Sequence, residues 1–433
     1  MNILLKCSQK IIQTSFLRNV FTLITGTALS QFIPILLSPV LTRVYSPQAF
    51  GSLALYMSVS TILAILATGR YEQAIILPDD DNDSLNIVAL CIGIATIFSF
   101  SILLGLFVFW QQIFLLAKHW NFDIFLKLLP ITVLLLAIYQ SLYYWFNRSK
   151  LYRAITLNRV FLATAVVIFQ LALYKFPDAG LVVGYVLGQI IGVGYSIFQI
   201  FTDLRSKTIP IKISFISIKK QAERYIKFPR FLLIGHMMNA ISGNMPIILF
   251  QGFYGSSFSG FYSLTFRVIT LPMSLIGNAI SDVFREVASR QYIAEGQCQK
   301  LFLKTFKSLL LMAIVPFAIF FLVSPNLFTL FFGAEWSKAG TYARLLSPML
   351  FCQFITIPLC SMFIIAEKQE LDLVWQVARM ILSIGSIWIG YVLYRSDNTS
   401  VLLFSLSFCV LYLVSGVMSY SFSCPNSRVK EAP

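Results

Sequence analysis

Apolar residues come in continuous runs of twenty or more, separated by short polar connectors. A helix rising about 1.5 Å per residue needs about 20 such residues to cross the hydrocarbon layer. That rule predicts twelve spanning helices, over 19–41, 51–77, 85–109, 124–146, 154–174, 181–201, 229–250, 258–282, 305–328, 339–365, 371–394 and 399–421. The connectors carry helix-ending chemistry, as in Tyr45-Ser46-Pro47, Pro78 before Asp79–Asp83, Phe176-Pro177-Asp178 and Ser324-Pro325-Asn326. Membrane strands alternate over about ten residues, and these runs do not alternate, so the pattern predicts an all-α polytopic membrane protein.

Composition supports this reading. Residues of hydrophobic type make up 58% of the 433 and charged ones 12%, against about 25% charged in a soluble domain. A net charge of +15 would suit nucleic acid, but the cations sit mainly in alternate connectors. With the N-terminus in the cytoplasm, inward segments hold twenty Lys and Arg and outward ones hold five, Arg43, Lys118, Lys175, Lys338 and Arg395. Such an excess sets orientation and places both termini inside. The stretch from Lys6 through Arg18 resembles a signal-peptide start, but the following run is too long for an h-region and reads as a retained first span. The basic segment 202–228 divides the chain into N-terminal (1–201) and C-terminal (229–433) six-helix lobes, a transporter plan with a central site. Within it, 213–228 reads equally as a surface amphipathic helix or a solvated hinge.

Seven cysteines without a C-x-x-C pair predict free thiols, and two histidines without H-E-x-x-H predict no metal site. The absence of a phosphate-cradling G-x-x-x-x-G-K-[ST] motif, a triad or paired carboxylates predicts neither ATP hydrolysis nor a cofactor.

A charge at mid-bilayer is costly, so each one needs a reason. Arg267 lies about ten residues, about 15 Å, into the eighth run. Ser274, Asn278 and Asp282 share its helix face. The functional expectation is an anion site in a central cavity; the alternative is a structural Arg paired with a carboxylate on a neighbouring helix. Arg70 and Glu72, near the inner end of the second run, read as a pair, a gate or a snorkelling cation, and Arg70 is also a candidate, beside Arg267, for the anion site in the cavity. Arg379 is a deeper cavity candidate, whereas Arg159 and Lys127 are expected to snorkel. Guanidinium suits phosphate oxygens, while Glu72 and Asp282 are the carboxylates to suspect in gating or ion coupling. Asn239, Ser242, Asn244 and His236 line a cavity or bind helices together. Gly180, Gly184, Gly188 and Gly192 form a small-residue packing face, and prolines 34, 39, 246, 272, 316, 348 and 358 can kink their spans.

Several motifs, in order, resemble one family. They are Thr42-Arg43-Val44-Tyr45-Ser46-Pro47-Gln48-Ala49-Phe50-Gly51, Gly69-Arg70-Tyr71-Glu72-Gln73-Ala74-Ile75, Lys227-Phe228-Pro229, and Gly260-Phe261-Tyr262-Ser263. Arg267 through Leu271-Pro272, then Ile280, Val283 and Phe284, continue the pattern. The chain resembles the Wzx-type flippases of O-antigen and capsule repeat units, within the multidrug/oligosaccharidyl-lipid/polysaccharide (MOP) exporter superfamily. The resemblance covers helices one to eight. It implies a MATE-like fold of twelve helices in two lobes around a cationic cavity. It also implies an undecaprenyl-diphosphate-linked oligosaccharide as cargo, carried from the cytoplasmic to the periplasmic leaflet of a bacterial inner membrane. A polysaccharide polymerase and a chain-length regulator are the expected protein partners. Related lipid II flippases also carry Arg followed five residues later by Pro in helix eight, matching Arg267 and Pro272. Two alternatives stand beside this: a membrane O-antigen polymerase or ligase, which would need a long outward catalytic loop, and a drug or cation antiporter, which would need a buried carboxylate.

Overall fold

The computed structural model describes residues 25–119, 123–206 and 212–424. Cys7 and the cations Lys6, Lys10, Arg18, Lys207, Arg428 and Lys430 lie outside the described residues. Among the described residues, twelve helices are long and apolar enough to cross a membrane. The first six are Thr25–Val44, Pro47–Thr68, Asp81–Val108, Phe125–Arg148, Tyr152–Ala172 and Gly180–Ser206. The last six are Phe228–Tyr254, Ser256–Glu295, Gln299–Phe332, Ala334–Ile365, Gln369–Tyr394 and Asp397–Ser423. They are called spans one to twelve below. Among the described residues there is no strand. The chain folds as two compact units, Met1–Ile241 and Ser242–Pro433.

The second span shows how local sequence sets an end. The Ser46 side chain accepts from Ala49 N–H at 3.4 Å, and Pro47 takes the first helical position, where no N–H is needed. The helix stops at Thr68 because Gly69 turns left-handed at φ 56° and Arg70 follows at φ 62°. A 3₁₀ turn, Tyr71–Ile76, comes next. The expected helix over 51–77 is therefore shorter, and Arg70 and Glu72 sit beyond its end.

Spans five and six pack closely through the glycine face. A Cβ on Gly184 would lie 2.7 Å from the backbone N of Gln170, and one on Gly188 would lie 2.7 Å from Cα of Val166. A Cβ on Gly192 would meet the Leu162 side chain at 2.6 Å. Only glycine admits backbones this near, and dispersion then gains on both helices.

One end of the first unit is closed by polar ties around a buried cluster that includes Tyr71, Ile75, Ile87, Trp145, Phe146 and Ile155. Trp145 donates Nε1–H to the Asp203 carboxylate at 3.1 Å. Arg148 donates to Asp81 from Nε at 3.0 Å and from Nη2 at 2.9 Å, and also to the carbonyls of Asp79 and Pro78. The acidic connector is thus held by span four. The helix Phe215–Arg224 is docked on this unit, with Tyr71 donating to the Ala222 carbonyl at 3.0 Å and Ser214 N–H donating to Asn86 at 3.2 Å. Phe215 and Ile216 stay exposed. The arrangement fits a surface helix better than a solvated hinge.

In the second unit, span eight runs 40 residues, about 60 Å, or twice the hydrocarbon thickness. Its polar end continues as helix through pairs such as Glu286–Arg290 at 2.7 Å, until Gly296 turns left-handed at φ 68°. A cluster of Phe284, Phe302, Phe354, Leu359 and Met362 anchors it to its neighbours.

Candidate substrate site

Exposure and polarity together separate lipid-facing from water-facing helices. Span nine is barely buried and strongly apolar, with mean hydropathy 2.4, as a helix against lipid must be. Spans one, seven and eight are also little buried, yet their mean hydropathy is only 1.3. Exposed faces of such helices cannot all meet hydrocarbon. On span seven the exposed positions Gly235, Asn239 and Gly243 recur every four residues and form a small, polar stripe. On span eight Asn278 and Asp282 are exposed, and Ser274 is half-buried on the same face. These faces are suited to water rather than hydrocarbon.

In the first unit, Arg70 and Glu72 meet directly. Arg70 Nη1 lies 2.9 Å from Glu72 Oε1, and the carboxylate side chain is fully buried. Arg70 Nη2 lies 2.7 Å from Nδ1 of His236 on span seven. Glu72 Oε2 and Arg70 Nε are buried without hydrogen-bond partners. A buried ion pair with unmet groups stands on marginal balance, because desolvation offsets most of the attraction. The left-handed φ at Arg70 is a further cost, since a side chain seldom occupies it. Of the sequence alternatives, the pair is realised, and Arg70 is turned inward to His236 rather than snorkelling outward.

In the second unit, Arg379 crosses from span eleven to span seven. Its Nε donates to Ser242 Oγ at 3.1 Å, and its guanidinium carbon lies 5.6 Å from the Trp375 ring centre. It remains half-buried. Arg267 is half-buried on span eight and holds an interaction of its own. The Ser274 hydroxyl bonds back to the Leu271 carbonyl at 2.8 Å, which commits its proton locally. The candidates therefore fall into an ion pair in the first unit and a set of cations and polar side chains along spans seven, eight and eleven in the second.

Two features were not legible along the chain. His236 read as a cavity or packing residue, and its bond to Arg70 joins positions 166 apart in sequence. Arg159, expected to snorkel, instead donates to Thr27 of span one and lies 5.2 Å from the Tyr143 ring. Among the described residues no three His, Cys, Asp or Glu side chains gather as a metal set.

Among the described residues, twelve helices long and apolar enough to cross a bilayer define a multi-pass membrane protein. The fold matches an inward-facing MATE transporter of the MOP superfamily with a TM-score of 0.72, at 12% identity, over 93% of this chain and 96% of that one. The chain also matches the family described as "Polysaccharide biosynthesis protein" over residues 40–341. That covers well over half its length, and the chain belongs to this family. A succinoglycan biosynthesis transport protein, ExoT, of Rhizobium meliloti (strain 1021) is 21% identical over 334 residues, 75% of this chain and 63% of its own length. A teichuronic acid biosynthesis protein, TuaB, of Bacillus subtilis (strain 168) is 22% identical over 258 residues, 59% of this chain and 52% of its own. The matches thus span less than two thirds of both relatives.

Proposed function

We propose that this chain is a flippase that moves undecaprenyl-diphosphate-linked oligosaccharide repeat units of an O-antigen or capsule. It acts from the cytoplasmic to the periplasmic leaflet of a bacterial inner membrane, with both termini inside. The observation that carries the reading is the placement of Arg267 and Arg379 in the second unit, with the least apolar spans among the least buried, in a chain of the polysaccharide biosynthesis family. Guanidinium groups offer forked donors to a diphosphate. The exposed side chains of Asn239 on span seven and of Asn278 and Asp282 on span eight suit sugars, while the lipid tail stays in hydrocarbon.

In this mechanism the six-helix lobes 1–201 and 229–433 rock to open the cargo path alternately to each side. The diphosphate is held by Arg267 and Arg379. The Arg70–Glu72–His236 cluster acts as a latch whose pairing changes between states, and Glu72 and Asp282 are the candidates for ion coupling. Transport by this route needs no covalent chemistry and no cofactor, and the product is passed to a polymerase and its chain-length regulator.

The test uses cells lacking the protein, complemented with wild type or Arg267→Ala at equal abundance. Lipid-linked repeat units are tracked on each leaflet. Accumulation on the inner leaflet without the protein, not cleared by Arg267→Ala, supports the reading. Repeat units that reach the outer leaflet normally but are never joined point to a polymerase or ligase and overturn it.

A further inference from the structure

A pocket with both polar and apolar walls lies wholly within the first unit. Its volume is 340 Å³, and its walls include Thr27, Ser30 and Gln31 of span one, Tyr139 of span four, Arg159 of span five and Gln189 of span six. Among the described residues, no carboxylate lines it. Arg159 sits seven residues after Tyr152, the start of its helix, about 10 Å into the span. A guanidinium at such depth is expensive unless something answers its charge. Its contacts are neutral: the Thr27 hydroxyl, the adjacent Tyr139 hydroxyl and the Tyr143 ring. These leave part of its five-donor fork unused. Gln189 is 5% exposed, and its Oε1 is sealed without a partner. The wall thus combines one full positive charge with hydroxyls and carboxamides, which both donate and accept.

The volume is at the lower end of ligand pockets, about 300–1,000 Å³. That is roomy for a bare halide. The geometry points to a binding site for a monosaccharide-sized acid, with its carboxylate or phosphate on Arg159 and its hydroxyls on Ser30, Gln31 and Gln189. The ligand is either an acidic sugar within a transported saccharide or a free sugar acid; both present the same chemistry. The site is separate from Arg267 and Arg379, and its test reads binding alone, so it can fail while the transport reading stands.

The full-length purified chain is titrated in lipid nanodiscs with glucuronate, glucose and inorganic phosphate, following thermal midpoint and calorimetric heat. Wild type is expected to show saturable binding of glucuronate and at least tenfold weaker binding of glucose and phosphate. Arg159→Gln weakens glucuronate at least tenfold. Gln31→Glu, at an exposed position that leaves packing intact, sets a carboxylate opposite the guanidinium and weakens it equally. An acidic oligosaccharide that competes with glucuronate assigns the site to cargo; one that does not assigns it to free sugar acids. Equal binding of phosphate, unchanged glucuronate binding in Gln31→Glu, or no saturable glucuronate binding overturns the proposal.

Discussion

Replacing Arg70 by Met removes one partner of a buried pair and leaves the other sealed. The separation is 2.9 Å, with Arg70 12% exposed and Glu72 0%. Stranding a buried charge this way costs about 3–5 kcal/mol. Glu72→Gln is milder: it removes the charge, and Arg70 keeps His236 at 2.7 Å. The loss is that of a charge-assisted hydrogen bond, about 1.5–3 kcal/mol. The double variant Arg70→Met/Glu72→Gln carries no stranded charge and is expected to be more stable than Arg70→Met alone. Thermal midpoints of the full chain in one detergent should therefore fall in the order wild type, Glu72→Gln, double variant, Arg70→Met, with the middle two close. The double-mutant cycle isolates the coupling. A double variant less stable than Arg70→Met, or a neutral Arg70→Met, would refute the buried-pair reasoning.

Gly188→Leu should destabilise by about 1–3 kcal/mol through overpacking against Val166, whereas Gly194→Ala, whose Cβ meets nothing within 4 Å, should not lower the thermal midpoint. Trp145→Phe removes the donor to Asp203 and should cost about 1.5–3 kcal/mol, read as a lower midpoint that Asp203→Asn partly restores. Arg379→Lys should keep the charge but lose the planar contact to Trp375 and the bond to Ser242; repeat-unit export at equal protein abundance should drop about tenfold, equivalent to about 1.4 kcal/mol.

Helix number and type were written in the chain, because a run of about twenty apolar residues has few other stable states in a bilayer. The glycine face of span six was equally readable, since small residues at a spacing of four mark close packing wherever they occur. Hydropathy measures solvent preference rather than helix length. It therefore placed the end of the eighth run at 282, while the helix continues through a charged segment to Glu295. It also missed the stop at Thr68, which depends on two consecutive left-handed residues, only one of them glycine.

The candidate cations were visible as charges where charge is costly. Their partners were not, because a long flexible side chain can reach water, a carboxylate or a neighbouring helix, and sequence spacing cannot choose among these. Packing of span one against span five turned Arg159 from an expected snorkelling cation into the charge of a cavity. Folding of the Gly69–Glu72 break set Arg70 between Glu72 and His236. The sequence by itself determined which groups must be satisfied inside the membrane; only tertiary contact, which joins positions distant along the chain, decided what satisfies them.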